Sequence, residues 1–421
     1  MTVASQDRYF SRNVTGICGV EFLWGLGMPV VIESTFLQVF LRNLGASSFL
    51  IGLIPTLMSA GTAGFSLVSY SLTVRLARKR GAVIAMHAAA AVPLLAFGVL
   101  LGATGIRSST LPLFLSAYTL FTAGVGLILP AWQNYLVKIF TAERSIRALA
   151  MMMIIQSAAK LAGSLWLVSA VERFSFSAAG SSLVFTLVGL LFLAGSFSFL
   201  LTVEEPQPPA PRAARLRLAD LRSHAVGNRG FLLLLGTDLE YWALGGVIAF
   251  YANFATEYCG VPAALASGLF VAFAYLGGIL VNTLLGWANL LVLRDKYLST
   301  KLLATAGILL LAAHPVPWVF YLVSLLFGAS RGTRQMVYTP AVKRLSGASD
   351  ATLYFAVSYL LCLPFSTGLP LLNGAFLDRF ARWGAWSYRS MFLAMAVLAV
   401  AGIWFTLRVP WEGHGRGAWS R

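Results

Sequence analysis

The sequence predicts an all-α membrane protein whose twelve transmembrane helices form two pseudo-symmetric six-helix bundles. Composition, the spacing of apolar runs and an internal repeat predict it. Hydrophobic residues make up 58% of the 421 positions and charged residues 11%, against about 25% charged in a typical soluble domain. A helix needs about 20 mostly apolar residues to cross hydrocarbon. Twelve stretches are read as spans, at 13–41, 48–73, 82–103, 110–137, 148–171, 179–203, 230–257, 263–293, 299–314, 316–342, 352–377 and 388–408, the ninth short of that length.

The first span carries Gly25, Gly27 and Pro29, which can bend a helix. Spans two to six follow, the third carrying His87 and the fifth Gln156 and Lys160. The ninth is the shortest, because His314, Pro315 and Pro317 crowd its end. Between spans six and seven lies the one long polar stretch, 204–229, opening on Glu204-Glu205-Pro206 and continuing into a basic run. It separates an N-terminal bundle, 1–203, from a C-terminal bundle, 230–421. Leu216, Leu218 and Leu221 among its arginines fit a short helix on an anionic membrane surface or a solvated loop.

The repeat supports two halves. At an offset of 219, VEFLWGLG (20–27) meets LEYWALGG (239–246), Glu21 meets Glu240 and Ser48 meets Ser267. At 206, Gly126 meets Gly332, Trp132 meets Tyr338 and Lys138 meets Arg344. The 13-residue difference fits the cramped ninth span.

A formal charge of +16 raises nucleic acid as a partner, but the placement of the charges argues for topology instead. With the N-terminus inside, Arg42, Arg107, Arg173, Arg379, Arg382 and Arg389 fall on the outer side, and Lys160, Arg331 and Arg334 lie within the membrane. The remaining Lys and Arg fall inside, the positive-inside bias. Both termini are then expected to be cytoplasmic, with no nucleic-acid partner. The first eleven residues carry no cleavage pattern of a signal peptide. Cys18, Cys259 and Cys362 sit in or beside spans as packing residues. The sequon at Asn13 lies at an inner helix end and is taken as chance. The short loops hold no nucleotide-binding loop, metal cluster or nucleophile triad, so no cofactor and no enzymatic activity are expected.

Two six-helix halves joined by a basic linker resemble the major facilitator superfamily over essentially the whole chain, and the N-terminal half looks like little-characterised bacterial permeases of that family. The resemblance implies bundles related by an axis along the membrane normal, alternating access by rocking, and a solute site near the midplane. The family's loop motif after helix two is half present. Leu72, Arg75, Arg78 and Lys79 match, and these basic residues are gating candidates. Tyr70 replaces the usual Gly, and Val74 the usual Asp that latches the gate. The latch must therefore be built differently. Drug-export signatures are also incomplete, with Leu120 where a basic residue would stand and Gly163 without a following Pro.

Charged groups at membrane depth carry the functional reading: Glu21, Glu33, Lys160, Asp238, Glu240, Arg331 and Arg334, with His87 beside them. Each costs about 2.5–3.5 kcal/mol near a helix centre and should face a cavity or a partner. Glu21, Glu240 and Arg334 lie about 14 Å from a predicted inner helix end, in one layer. By the resemblance, helices one, four, seven and ten line the cavity, and these residues sit on one, seven and ten. Arg331, Arg334 and Lys160 are candidates for an anionic solute group, with Trp24, Gln156 and Tyr241 lining its path. Glu21, Glu240 or Glu33 would exchange a proton. The alternative for Glu21 and Glu240, favoured by their symmetric placement, is a structural ion pair in each half. Asp238 reads as a capping or gate contact and His87 as a packed neutral ring.

The expectation is a proton-coupled secondary transporter of a small organic, anionic or amphipathic solute in the inner (plasma) membrane, working as a monomer. A lipid or lysolipid flippase, a drug antiporter and a non-transporting sensor or assembly partner are the alternatives.

Overall fold

Hydrocarbon offers a backbone no hydrogen-bond partners, so a chain this apolar satisfies its own N–H and C=O groups in helices. The structure, a computed structural model, describes residues 8–32, 35–73, 76–140, 142–206, 227–288, 290–346 and 352–411. Among the described residues the elements are helices and none is a strand. Glu33, Arg75 and the stretch around Leu216–Leu221 lie outside them.

In the N-terminal part, α1 (Phe10–Val31) and α2 (Thr35–Asn43) share the expected first span. They are followed by α3 (Ser48–Thr73), α4 (Arg80–Thr104), α5 (Thr110–Ile139), α6 (Ala142–Phe174) and α7 (Ala178–Ser198). The α1 helix runs through Gly25, Gly27 and Pro29 without ending. The seventh span is not one helix but three: α8 (Arg229–Thr237), α9 (Leu239–Ile248) and α10 (Tyr251–Tyr258), parted at Asp238 and at Ala249–Phe250. Then come α11 (Ala263–Val281), which ends in a π turn, α12 (Leu293–Ala313), α13 (Pro317–Ser346), α14 (Thr352–Arg379) and α15 (Ala385–Arg408). The ninth span is longer than expected, because α12 begins at Leu293 and runs 21 residues. Polar Arg294, Asp295 and Lys296 form its first turn and hide its start from a hydropathy reading.

Among the described residues, ten helical stretches are long and apolar enough to cross a membrane. The long helices α13, with Arg331 and Arg334 inside it, and α14, with Pro364 and Pro370, are not among the ten.

The chain divides into two compact units. One comprises Met1–Ala213 and Gly260–Ala272, the other Ala214–Cys259 and Phe273–Arg421. The first turns of α11 thus belong with the N-terminal helices, where the Thr35 hydroxyl donates to Ser267 O at 3.1 Å. The first unit packs around Phe36, Phe40, Phe97, Phe114 and Phe185, a set of mostly edge-to-face rings. In the second, Phe254, Tyr388 and Phe392 form one cluster, and Phe231, Tyr297, Tyr338, Tyr354 and Trp411 line another.

Small residues set the closest helix approaches. A Cβ on Gly126 of α5 would stand 2.2 Å from Gly61 O of α3, and one on Gly328 of α13 would stand 1.7 Å from Ala274 O of α11. Gly163 of α6 lies against α1 in the same way, 2.2 Å from Leu26 O. Backbones that touch can place short side chains in direct contact.

Candidate functional site

In the first unit, Glu21 of α1 is buried and meets α6. The Gln156 amide donates to its carboxylate, and Lys160, one turn further along α6, lies within electrostatic reach. The seam below explains the meeting. A Cβ on Gly25 would touch Ala159 Cβ at 2.9 Å and Gln156 O at 3.0 Å, so α1 and α6 run backbone to backbone there. Among the described residues, Gln156 is the hydrogen-bond donor to Glu21, and it is neutral. Trp24, also a candidate, is buried instead in helix packing. Its ring stacks on Phe192 at 4.2 Å, meets His87 edge-on at 5.1 Å, and gives its N–H to Phe192 O at 3.0 Å. His87 is buried and bonds Val83 O through Nδ1 at 2.8 Å.

The second unit treats the matching acid differently. Glu240 of α9 is sealed from solvent, with Lys301 Nζ of α12 at 2.8 Å from Oε2 and the Ser330 hydroxyl of α13 donating to Oε1 at 2.9 Å. The Tyr297 ring covers Lys301 at 5.1 Å. Lys301 escaped the sequence reading. It is the third residue of the expected span 299–314 and the ninth of the helix that forms, where it is fully buried. An acid with a buried cation and a hydroxyl on its two oxygens is a complete structural unit.

Asp238 and Arg334 form another ion pair of this unit. Asp238 stands at the junction of α8 and α9, and its carboxylate accepts from Arg334 Nη2 at 2.6 Å and Nε at 3.4 Å. The Arg334 Cζ atom lies over the Tyr241 ring at 4.2 Å and over the Tyr338 ring at 4.0 Å. Tyr338 is fixed by a hydrogen bond to Ser358. The pair is not wholly enclosed: the Arg334 side chain keeps 15% of its exposure while Asp238 keeps 1%. Arg331 is half-buried one turn before it. Asp238 is thus more than a cap, since it offsets the charge of the arginine expected to meet the solute.

A third cluster closes one end of the first unit. The Glu204 side chain, expected to open a polar linker, is 1% exposed. Its carboxylate accepts from Lys79 N at 2.7 Å, from Arg80 N at 2.7 Å and from Lys138 Nζ at 2.7 Å. The acid caps the N-terminus of α4 and neutralises a lysine of α5 at once. Around it, Arg80 Nη1 donates to Thr202 O at 2.7 Å, and Asn13 accepts from Val203 N at 2.6 Å, so the sequon asparagine is buried structure. Of the gating candidates, Lys79 joins this cluster through its backbone, Arg78 is exposed and Arg75 lies outside the described residues. Partial burial, then the Lys138 charge, lowers the Lys79 pKa, with Glu204 opposing. The family's loop acid is missing at Val74, and within this unit Glu204 holds the basic loop from the end of α7.

Solved structures with the same fold include a peptide transporter, POT, in complex with alafosfalin (14% identity, TM-score 0.68, 97% of this chain and 96% of that chain). Others are the nucleoside transporter NupG (11%, 0.68, 94% and 99%) and a bacterial homologue of the human lysosomal transporter Spinster (13%, 0.68, 95% and 97%). At these identities the likeness is one of fold. No curated protein matches the sequence. The family model of the Major Facilitator Superfamily matches residues 22–339, well over half of the chain. With ten apolar spans and that match, the chain is a multi-pass membrane transporter rather than an enzyme, and it belongs to the major facilitator superfamily.

Proposed function

We propose that this secondary transporter moves a small organic solute carrying a negative charge, coupled to protons through Glu21. In this reading α13 and α14 complete twelve spans, and the solute's anionic group meets Arg334, with Arg331 on the same helix. The observation that carries the proposal is the unequal partnering of two sequence-equivalent acids. Protonating Glu240 would strand the buried Lys301 ammonium, at a cost of several kcal/mol. Among the described residues, protonating Glu21 leaves the neutral Gln156 amide as its hydrogen-bond partner, with Lys160 one turn beyond Gln156 on α6. Glu21 can therefore change charge during a cycle, whereas Glu240 serves as scaffold.

The anionic class is supported by Arg334, whose guanidinium keeps an exposed edge although Asp238 pairs with it. Tyr241 and Tyr338 give that edge an aromatic surround, suited to a solute with an apolar or ring portion. Trp24 is set outside the solute path because packing already uses its ring and its N–H.

A thermal-shift screen of the purified protein against organic acids, amines, neutral metabolites and phospholipids tests this reading. Ligands that bind the folded state raise its melting temperature by mass action. The control is the double variant Asp238→Asn with Arg334→Gln, which removes both charges together and avoids an unpaired buried acid. Stabilisation by organic acids in the wild type but not in the double variant is expected. Stabilisation by phospholipid alone, unchanged in the double variant, would replace the solute reading with a flippase.

A further inference from the structure

The approaches left open at Arg334 are few. A guanidinium carries five N–H donors in one plane. Asp238 takes the edge formed by Nε and Nη2, at 3.4 and 2.6 Å. The rings of Tyr241 and Tyr338 lie 4.2 and 4.0 Å from Cζ. Cζ lies over both rings, so the two aromatic faces flank the guanidinium, and the proposed slot takes one ring to each of its faces. What remains is the edge with Nη1 and the outer N–H of Nη2. Among the described residues nothing accepts a hydrogen bond from Nη1, and the side chain retains 15% exposure.

We propose that Tyr241, Tyr338 and Asp238 make Arg334 a slot that selects a carboxylate over a phosphate, phosphonate or sulfonate. This rests on the reading that Arg334 receives the solute's anionic group. A carboxylate is planar, can lie in the guanidinium plane between the rings, and takes two parallel N–H bonds along the Nη edge. A tetrahedral oxyanion holding the same two bonds must project oxygen above and below that plane, against ring faces whose quadrupole is negative. The walls are held in place. Tyr338 is buried and bonded to Ser358. Tyr241 stands three residues after Asp238, so the ion pair holds its helix against the arginine. The two tyrosines are specificity-determining residues and Arg334 supplies the charge.

The experiment uses benzoate, benzenesulfonate and phenylphosphonate, which share a phenyl group and differ in the shape of the anion. Each is titrated against the purified full-length protein by calorimetry. The proteins are wild type, Tyr241→Leu, Tyr338→Leu, and the Asp238→Asn with Arg334→Gln double variant, all required to keep a cooperative melting transition. Benzoate is expected to bind the wild type at least about tenfold tighter than the others, the worth of one good hydrogen bond. Either leucine variant, if it folds, should bring the three within about threefold, and the double variant should bind none. Equal binding of all three in the wild type, lost in the double variant, would overturn the slot and leave the anion site standing. No binding by the wild type, or binding that persists in the double variant, would overturn both.

Discussion

Lys301 Nζ stands 2.8 Å from Glu240 Oε2, with both side chains sealed from solvent inside the second unit. Removing one member of such a pair strands the other and costs about 3–5 kcal/mol, whereas removing both together costs far less. Lys301→Met should therefore lower the melting temperature of the detergent-purified protein sharply, and adding Glu240→Gln should recover most of the loss. If the single variant melts like the wild type, the pair is not structural.

Glu204 joins three donors from two helices at one end of the first unit. Hydrogen bonds to a charged group are worth about 1.5–3 kcal/mol each. Glu204→Gln should speed amide exchange in the first turn of α4 and the last turn of α5, and leave the Phe40–Phe97–Phe185 cluster protected. Uniform loss of protection through the unit would show that the contact does not act locally.

Gly163 has no room for a side chain, since a Cβ would come 2.2 Å from Leu26 O. Gly163→Ala should destabilise by about 1–3 kcal/mol through overpacking, measured as a fall in melting temperature. Unchanged stability would mean that α1 and α6 separate freely at this point.

Trp24 gives its indole N–H to Phe192 O and stacks on the Phe192 ring. Trp24→Phe should cost about 1 kcal/mol of stability, one neutral hydrogen bond, without altering the affinity of a solute found by screening. A clear change in affinity at wild-type stability would return Trp24 to the solute path.

Hydropathy made the helical membrane architecture legible, and Arg334 was legible as an expensive charge at depth. The partners of these charges were not. Asp238 and Arg334 are 96 residues apart, Glu21 and Gln156 are 135 apart, and no local periodicity connects them. Lys301 was hidden because polar residues begin α12 and shift its apparent start. Glu204 was hidden because it heads a polar, proline-rich stretch, although its carboxylate belongs to the helix ends that it joins. The paired glutamates show the limit most clearly. The repeat aligns Glu21 with Glu240, yet one meets an amide and the other an ammonium, a difference set by which residue the neighbouring helix happens to present.

Proton movement in proteoliposomes tests the central claim most directly. A lumenal pH dye would follow the response to the most stabilising organic acid, in the wild type, in Glu21→Gln, and in the Lys301→Met with Glu240→Gln double variant. The wild type and the double variant should couple solute to protons, while Glu21→Gln should exchange labelled solute without moving protons. Coupling that survives in Glu21→Gln, or is lost only with Glu240, would contradict the account.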